Sequence, residues 1–213
     1  MSDILSLIDY LLDFFDEEKD FLNMINKSYE LYYKHGARSS KKVDVIHEWI
    51  VEKIKKTKHF DNEKYTIKEE VNIKCANSAG KKKWDIVVSN KKTKEVILAI
   101  SVKFACSNYK QNKNNYLECA IGESFLTKQK NPNIKILSFN IFIENCPYKK
   151  KDGTCKKLES ISLNDIKPYK EMVGKAWDHS ICYLVKHENQ KIIGINKDTK
   201  YETFDSILLK LFR

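Results

Sequence analysis

Arginine is nearly missing from this chain: of 39 basic residues only Arg38 and Arg213 are arginine. The planar fork that usually reads guanine or clamps phosphate is therefore not its main tool. Three prolines and six glycines in 213 residues exclude a collagen-like or low-complexity chain. No apolar run reaches the length of a membrane-spanning helix. The start, Met1-Ser2-Asp3, has no basic segment, and acids interrupt the apolar residues that follow, so no secretory leader is expected. The cysteines, at 75, 106, 119, 146, 155 and 182, contain no Cys-x-x-Cys pair. That argues against a zinc knuckle and a disulfide framework. Reduced, mostly buried thiols in a cytoplasmic protein are expected instead. The histidines, at 35, 47, 59, 179 and 187, have no metal-binding spacing.

Hydrophobic residues make up 42% of the chain and aromatics 11%, enough for a sizeable core. The net charge is +10, and it is uneven. Residues 1–33 hold eight acids against Lys19 and Lys27, so the remainder is strongly basic. A basic body of this size suits a polyanion, with nucleic acid first among the candidates. A lysine-rich coding bias alone would give part of the same excess.

Two acidic amphipathic segments open the chain, Ile4 to Phe15 and Phe21 to Tyr32, each with apolar residues at helical period. His35-Gly36 closes this helical pair. Residues 1–36 read as an N-terminal helical appendage and 37–213 as the main domain. A third helix is predicted over about 41–57. Strands follow at 65–74, 84–88 and 95–103, then a polar loop at 106–115 and a helix over about 113–129. Leu117, Ala120, Ile121, Ser124 and Phe125 form that helix's predicted apolar face. A strand at 134–143, a lysine-rich loop, a helix near 163–177, strands near 181–187 and 191–195 and a helix at 203–212 complete the chain. Trp177-Asp178-His179 reads as a loop or helix cap. The order gives an α/β fold, a mixed central sheet flanked by helices.

The stretch 83–123 carries the chemistry. Asp85 opens a hydrophobic strand, where an acid is costly unless it holds a cation or a donor. The neighbouring buried strand ends in Ser101-Val102-Lys103, with Ser101 and Lys103 on one side. If the two strands form a hairpin, Asp85 and Lys103 converge. The next helix then offers Glu118, with Glu123 in reserve. Two carboxylates and an ammonium suit Mg²⁺ and a phosphodiester. The ammonium would orient or deprotonate a water, or stabilise developing charge.

Trp84-Asp85 followed by Ser101-Val102-Lys103 resembles the PD-(D/E)xK nuclease superfamily, and within it the type II restriction endonucleases. Two residues depart from the usual pattern: Trp84 stands where proline is usual, and Ser101 where an acid is usual. One branch of restriction enzymes has this Ser-x-Lys form, with the missing carboxylate on the following helix, the position Glu118 matches. The resemblance covers about residues 42–145. It implies a restriction-endonuclease-like fold, a Mg²⁺ cofactor and an N-terminal helix bringing an acid to the site, Glu48 first and Glu52 next. Ser101 belongs to the constellation by position and lacks a nearby histidine that would make it a nucleophile.

Asn108, Tyr109, Lys110, Gln111, Asn112, Lys113, Asn114 and Asn115 would lie just beyond the catalytic strand. Asn and Gln can pair with adenine, and Lys can grip phosphates. A plain polar loop would look the same. The arginines that read a CCGG core in that branch have no counterpart at Lys128-Gln129-Lys130. The expected function is a Mg²⁺-dependent, sequence-specific double-stranded DNA endonuclease, acting as a homodimer because a palindrome has a two-fold axis. No membrane partner is expected. Two alternatives stand beside it: a non-catalytic DNA-binding module with a decayed core, and a structure-specific repair or recombination nuclease.

Overall fold

The computed structural model describes residues 2–36, 39–149 and 154–212. The first helix, α1, runs unbroken from Ser2 to His35. The expected helical pair is thus one helix. Its charged middle, Asp16 to Asp20, contains no Gly or Pro, and charged residues interrupt an apolar stripe without ending a helix. Gly36 does end it, with φ +82 and its N–H donating to the Tyr32 carbonyl. Helix α2 spans Lys41–Lys56.

Strands β1 (Tyr65–Lys74), β2 (Lys81–Asn90) and β3 (Val96–Ala105) form an antiparallel meander. Helix α3 (Tyr109–Lys128) crosses to β4 (Lys135–Ile143), which lies parallel to β3. The expected lysine-rich loop contains a small hairpin, β5 (Cys146–Lys149) with β6 (Cys155–Glu159). Helix α4 (Leu163–Ala176) returns the chain to β7 (His179–Glu188), parallel to β4. Strand β8 (Lys191–Ile195) and helix α5 (Phe204–Phe212) finish the chain. The six-stranded mixed sheet has the order β1-β2-β3-β4-β7-β8, with helices on both faces.

Alternation along the central strands sorts side chains into two cores. One face meets α1, α2 and α5 through Ile100, Val102, Phe139 and Tyr183, against Phe21, Ile25, Trp49, Ile50 and Phe204. The other meets α3 and α4 through Ala99, Ile136, Phe142 and Leu184, against Tyr109, Ala120, Ile166, Tyr169 and Trp177. Phe21, Ile25, Tyr29 and Tyr32 of α1 are fully buried members of the first core. Asn26 also serves the sheet: its amide pairs with both the N–H and the C=O of Ile192 on β8, covering that edge.

The β1–β2 hairpin changes face half-way. Trp84 and Ile86, two residues apart on one strand, should share a face. Instead Trp84 joins Ile73, Ala120 and Trp177 in the second core, while Ile86 lies in the first. The switch falls at Asp85 and, opposite it, at Glu70, whose φ is +55. The outer half of the hairpin therefore leans on α3, and Ala76 N–H bonds the Leu126 carbonyl there.

Candidate functional site

Asp85 sits in the middle of β2 rather than at its start. Cross-strand pairing between β2 and β3 runs through Ile86–Ile100 and goes no further towards Asp85. The half-buried carboxylate fills the gap: Oδ2 accepts the Val102 N–H at 2.6 Å. An acid replaces a backbone partner, so the donor it satisfies is one that the parting strands would have left orphaned.

On β3, Val102 and Phe104 point into the first core, which turns Ser101 and Lys103 to the α3 side. The β3–β4 register sets Ser101 beside Ser138 and Lys103 beside Asn140. Ser138 and Asn140 are buried and linked, Asn140 Nδ2 donating to Ser138 Oγ at 2.8 Å and to the Ile181 carbonyl at 2.9 Å. From α4, the Tyr169 hydroxyl donates to Asn140 Oδ1 at 2.8 Å. Burial holds the Tyr169 hydroxyl far above its usual range, with nearby Cys182 and Glu123 acting in the same direction, so Tyr169 is a donor at neutral pH. Burial also pushes the Cys182 thiol up to about 11, which keeps it protonated and inert.

The carboxylate that reaches Lys103 is Glu123. Lys103 Nζ lies 4.0 Å from Glu123 Oε1, and Lys82 Nζ, from the outer half of β2, lies 2.6 Å from the same oxygen. The Glu123 side chain is only 14% exposed, and its Oε2 is buried without a hydrogen-bond partner. Lys103, Asn112, Asn115, Tyr116, Cys119 and Glu123 line an open cleft of about 300 Å³.

Glu118 is exposed and lies off the cleft. The cause is the rotation of α3. Its buried residues are Tyr109, Ala120, Ser124 and Thr127, while Phe125, expected inside, is 60% exposed. At 100° per residue the true inner face is turned by roughly 70° from the expected one, which carries Glu123 towards the sheet and Glu118 away. Glu48 is also exposed, on α2, which packs on the opposite face of the sheet. It is not brought to Lys103. Glu52, expected next, is exposed on the same helix. Ser101 is buried beside Ser138 and faces the same side as Lys103.

The expected loop at 106–115 is mostly helix, since α3 begins at Tyr109. Asn108 takes the left-handed conformation that starts it, with φ +63. The buried Glu159 carboxylate of β6 accepts the N–H groups of Asn108 and, at 2.8 Å, Lys110. A negative charge there suits the helix dipole. Tyr109 is 1% exposed and cannot reach a nucleic acid. Asn112 is half-buried, and its amide donates to the Asn108 carbonyl. Lys110 pairs with Asp165 at 3.2 Å. Gln111, Lys113, Asn114 and Asn115 are exposed.

Lys82, Ser138, Asn140 and Tyr169 are not among the residues that the sequence singles out. Ser138 and Asn140 did leave a signal, two polar residues at period two inside an apolar strand. Lys82 left none, because its approach depends on the bend at Asp85. Trp177, expected in a loop or cap, is the C-cap of α4, and Asp178 accepts the Ile136 N–H.

All six cysteines are free, four of them buried. No helix among the described residues is long and apolar enough to cross a membrane. Among the described residues no group of three or more His, Cys, Asp or Glu side chains is arranged to hold a metal ion. Comparison with known protein families, curated proteins and solved structures finds no match to this chain.

Proposed function

We propose that this chain is a Mg²⁺-dependent, sequence-specific double-stranded DNA endonuclease of the PD-(D/E)xK type. One observation carries the reading: Asp85 sits where β2 and β3 part, and on the adjoining strand Lys103 meets a second carboxylate, Glu123, with which it lines an open cleft. Asp85 and Glu123 would hold the cation. The donor set fits in kind, being hard oxygens with one buried carboxylate oxygen still unpartnered. Mg²⁺ is commonly held by one or two carboxylates, with substrate phosphate and water completing its shell. When bound, the ion supplies Lewis acidity to a scissile phosphate and acidifies a water.

Lys103 contributes a fixed positive charge beside the phosphate, held by its place on a central strand. Ser138, Asn140 and Tyr169 stiffen the floor beneath it. Asn112 and Asn115, which line the cleft, would meet the polynucleotide there, with the exposed Gln111 and Lys113 on the same turns of α3. A homodimer would match a two-fold recognition site.

A second reading, a DNA-binding module without cleavage, is favoured by the lysines that already neutralise Glu123. Plasmid and phage DNA incubated with the protein, with Mg²⁺ or with chelator, separate the readings. Discrete Mg²⁺-dependent fragments are expected, abolished by Asp85→Ala and by Lys103→Ala. Retarded but intact DNA would establish the binding module. Cleavage confined to branched or gapped substrates would establish a structure-specific nuclease.

A further inference from the structure

Glu123 is claimed twice. Both Lys82 and Lys103 approach its Oε1, and Lys82 is much the closer, at 2.6 Å against 4.0 Å. The two lysines stand on unlike supports. Lys103 belongs to β3, between β2 and β4 and buried on both faces. Lys82 belongs to the outer half of an edge hairpin, beyond the point where β2 leaves β3. Its side chain is 32% exposed, close to the 29% of Lys103, so what sets it apart is its support on the outer hairpin, and its ammonium can exchange Glu123 for water at small cost. The other Glu123 oxygen, Oε2, is buried and bare, an unfavourable state for a carboxylate oxygen.

We propose that Lys82 is a positioning residue that competes with a divalent cation for the Glu123 carboxylate, setting the cation concentration at which the cleft becomes competent. This inference rests on the nuclease reading above. Lys82 holds Glu123 in place and takes up its charge, which leaves Lys103 only loosely paired and able to face a phosphate. A cation binding at Glu123 and Asp85 repels the Lys82 ammonium and releases it towards solvent.

The test is Mn²⁺ binding to the full chain without DNA, followed by electron paramagnetic resonance. Lys82→Met is expected to bind Mn²⁺ roughly fivefold more tightly than wild type, the scale of one partly exposed ion pair. Lys82→Arg, which keeps the charge, is expected to return the wild-type affinity. A purely structural role for Lys82 would weaken Mn²⁺ binding in Lys82→Met or leave it unchanged, and either result overturns the inference. Lys82→Gln provides a second neutral variant should the methionine disturb folding, with the same expectation. Asp85→Asn and Glu123→Gln separate the two failures. If both abolish Mn²⁺ binding while Lys82→Met and Lys82→Gln change nothing, only the competition is wrong. If Mn²⁺ binding is indifferent to Asp85 and Glu123, the nuclease reading falls with it.

Discussion

Glu118 and Glu123 differ by five residues and by most of a half-turn on α3, and that difference decides which carboxylate meets Lys103. Cleavage assays should therefore rank the alanine variants. Glu123→Ala is expected to lose activity by several orders of magnitude and Glu118→Ala to stay within about threefold of wild type, as an exposed side chain should. Activity lost in Glu118→Ala alone would place the catalytic carboxylate on the other side of the helix. Below the cleft, Tyr169→Phe removes the donor to Asn140 Oδ1 while keeping the ring. A buried acceptor left bare should lower stability by about 1–3 kcal/mol, measured by urea unfolding. An unchanged midpoint would mean that Asn140 finds another donor.

Glu202 offers a test by pH. The hydrogen bond from His179 at 3.2 Å, with Lys210 adding to it, holds its carboxyl down at about 2, against 4.5 for the free side chain. The folded value lies below the unfolded one, so the unfolded state binds the proton first as pH falls. The stabilisation is present above about pH 4.5 and is lost progressively down to about pH 2. Glu202→Gln is expected to flatten the fall in stability across that window. Parallel wild-type and variant curves there would sink the assignment.

At the scale of elements, α1 carries the clearest test. Its acidic residues point to an appendage ending at 36, yet Phe21, Ile25, Tyr29 and Tyr32 fill the first core beside Trp49, Phe139 and Tyr183. Each large side chain buried there is worth about 1.5–3 kcal/mol, comparable in sum to the whole stability of a typical domain. A chain beginning at residue 37 is expected to lack a cooperative thermal transition. A sharp melt near that of the full chain would restore the view of 1–36 as a separable piece. The β1–β2 hairpin shows the complementary case, where one element is divided between two cores. Asp85 is the hinge of that division: it takes over the Val102 N–H, and the strand beyond it is free to lean on α3 and deliver Lys82.

Over the whole molecule the charge is lopsided. At the tip of the hairpin Lys74 stands directly opposite Lys81, a like-charge pairing that repels. Such a cluster is eased by a polyanion. DNA binding is expected to weaken steeply with salt, because each lysine–phosphate contact releases a counterion. Replacing Lys74 and Lys81 together by Gln should reduce the slope of log K against log salt by about two units. A slope unaltered by that double substitution would move the DNA surface elsewhere.

The sequence alone determined the alternation of elements, because hydrophobic period and Gly36 are local signals. Helix α2, strands β1 and β8 and the ends of β4 lie within a residue or two of where their patterns place them. It also marks Asp85 and Lys103 as candidates, since an acid and an ammonium at strand positions stand out against apolar neighbours. The face of α3 was decided only in three dimensions. Ile121 and Phe125 extend the apolar stripe on one side of Leu117 and Ala120, and packing against Trp177 and the outer hairpin turns the helix to bury the other side. The same holds for Lys82, one of three consecutive lysines with nothing local to distinguish it. Its approach to Glu123 comes from a strand that changes face at Asp85, and that change is enforced by two cores competing for Trp84 and Ile86.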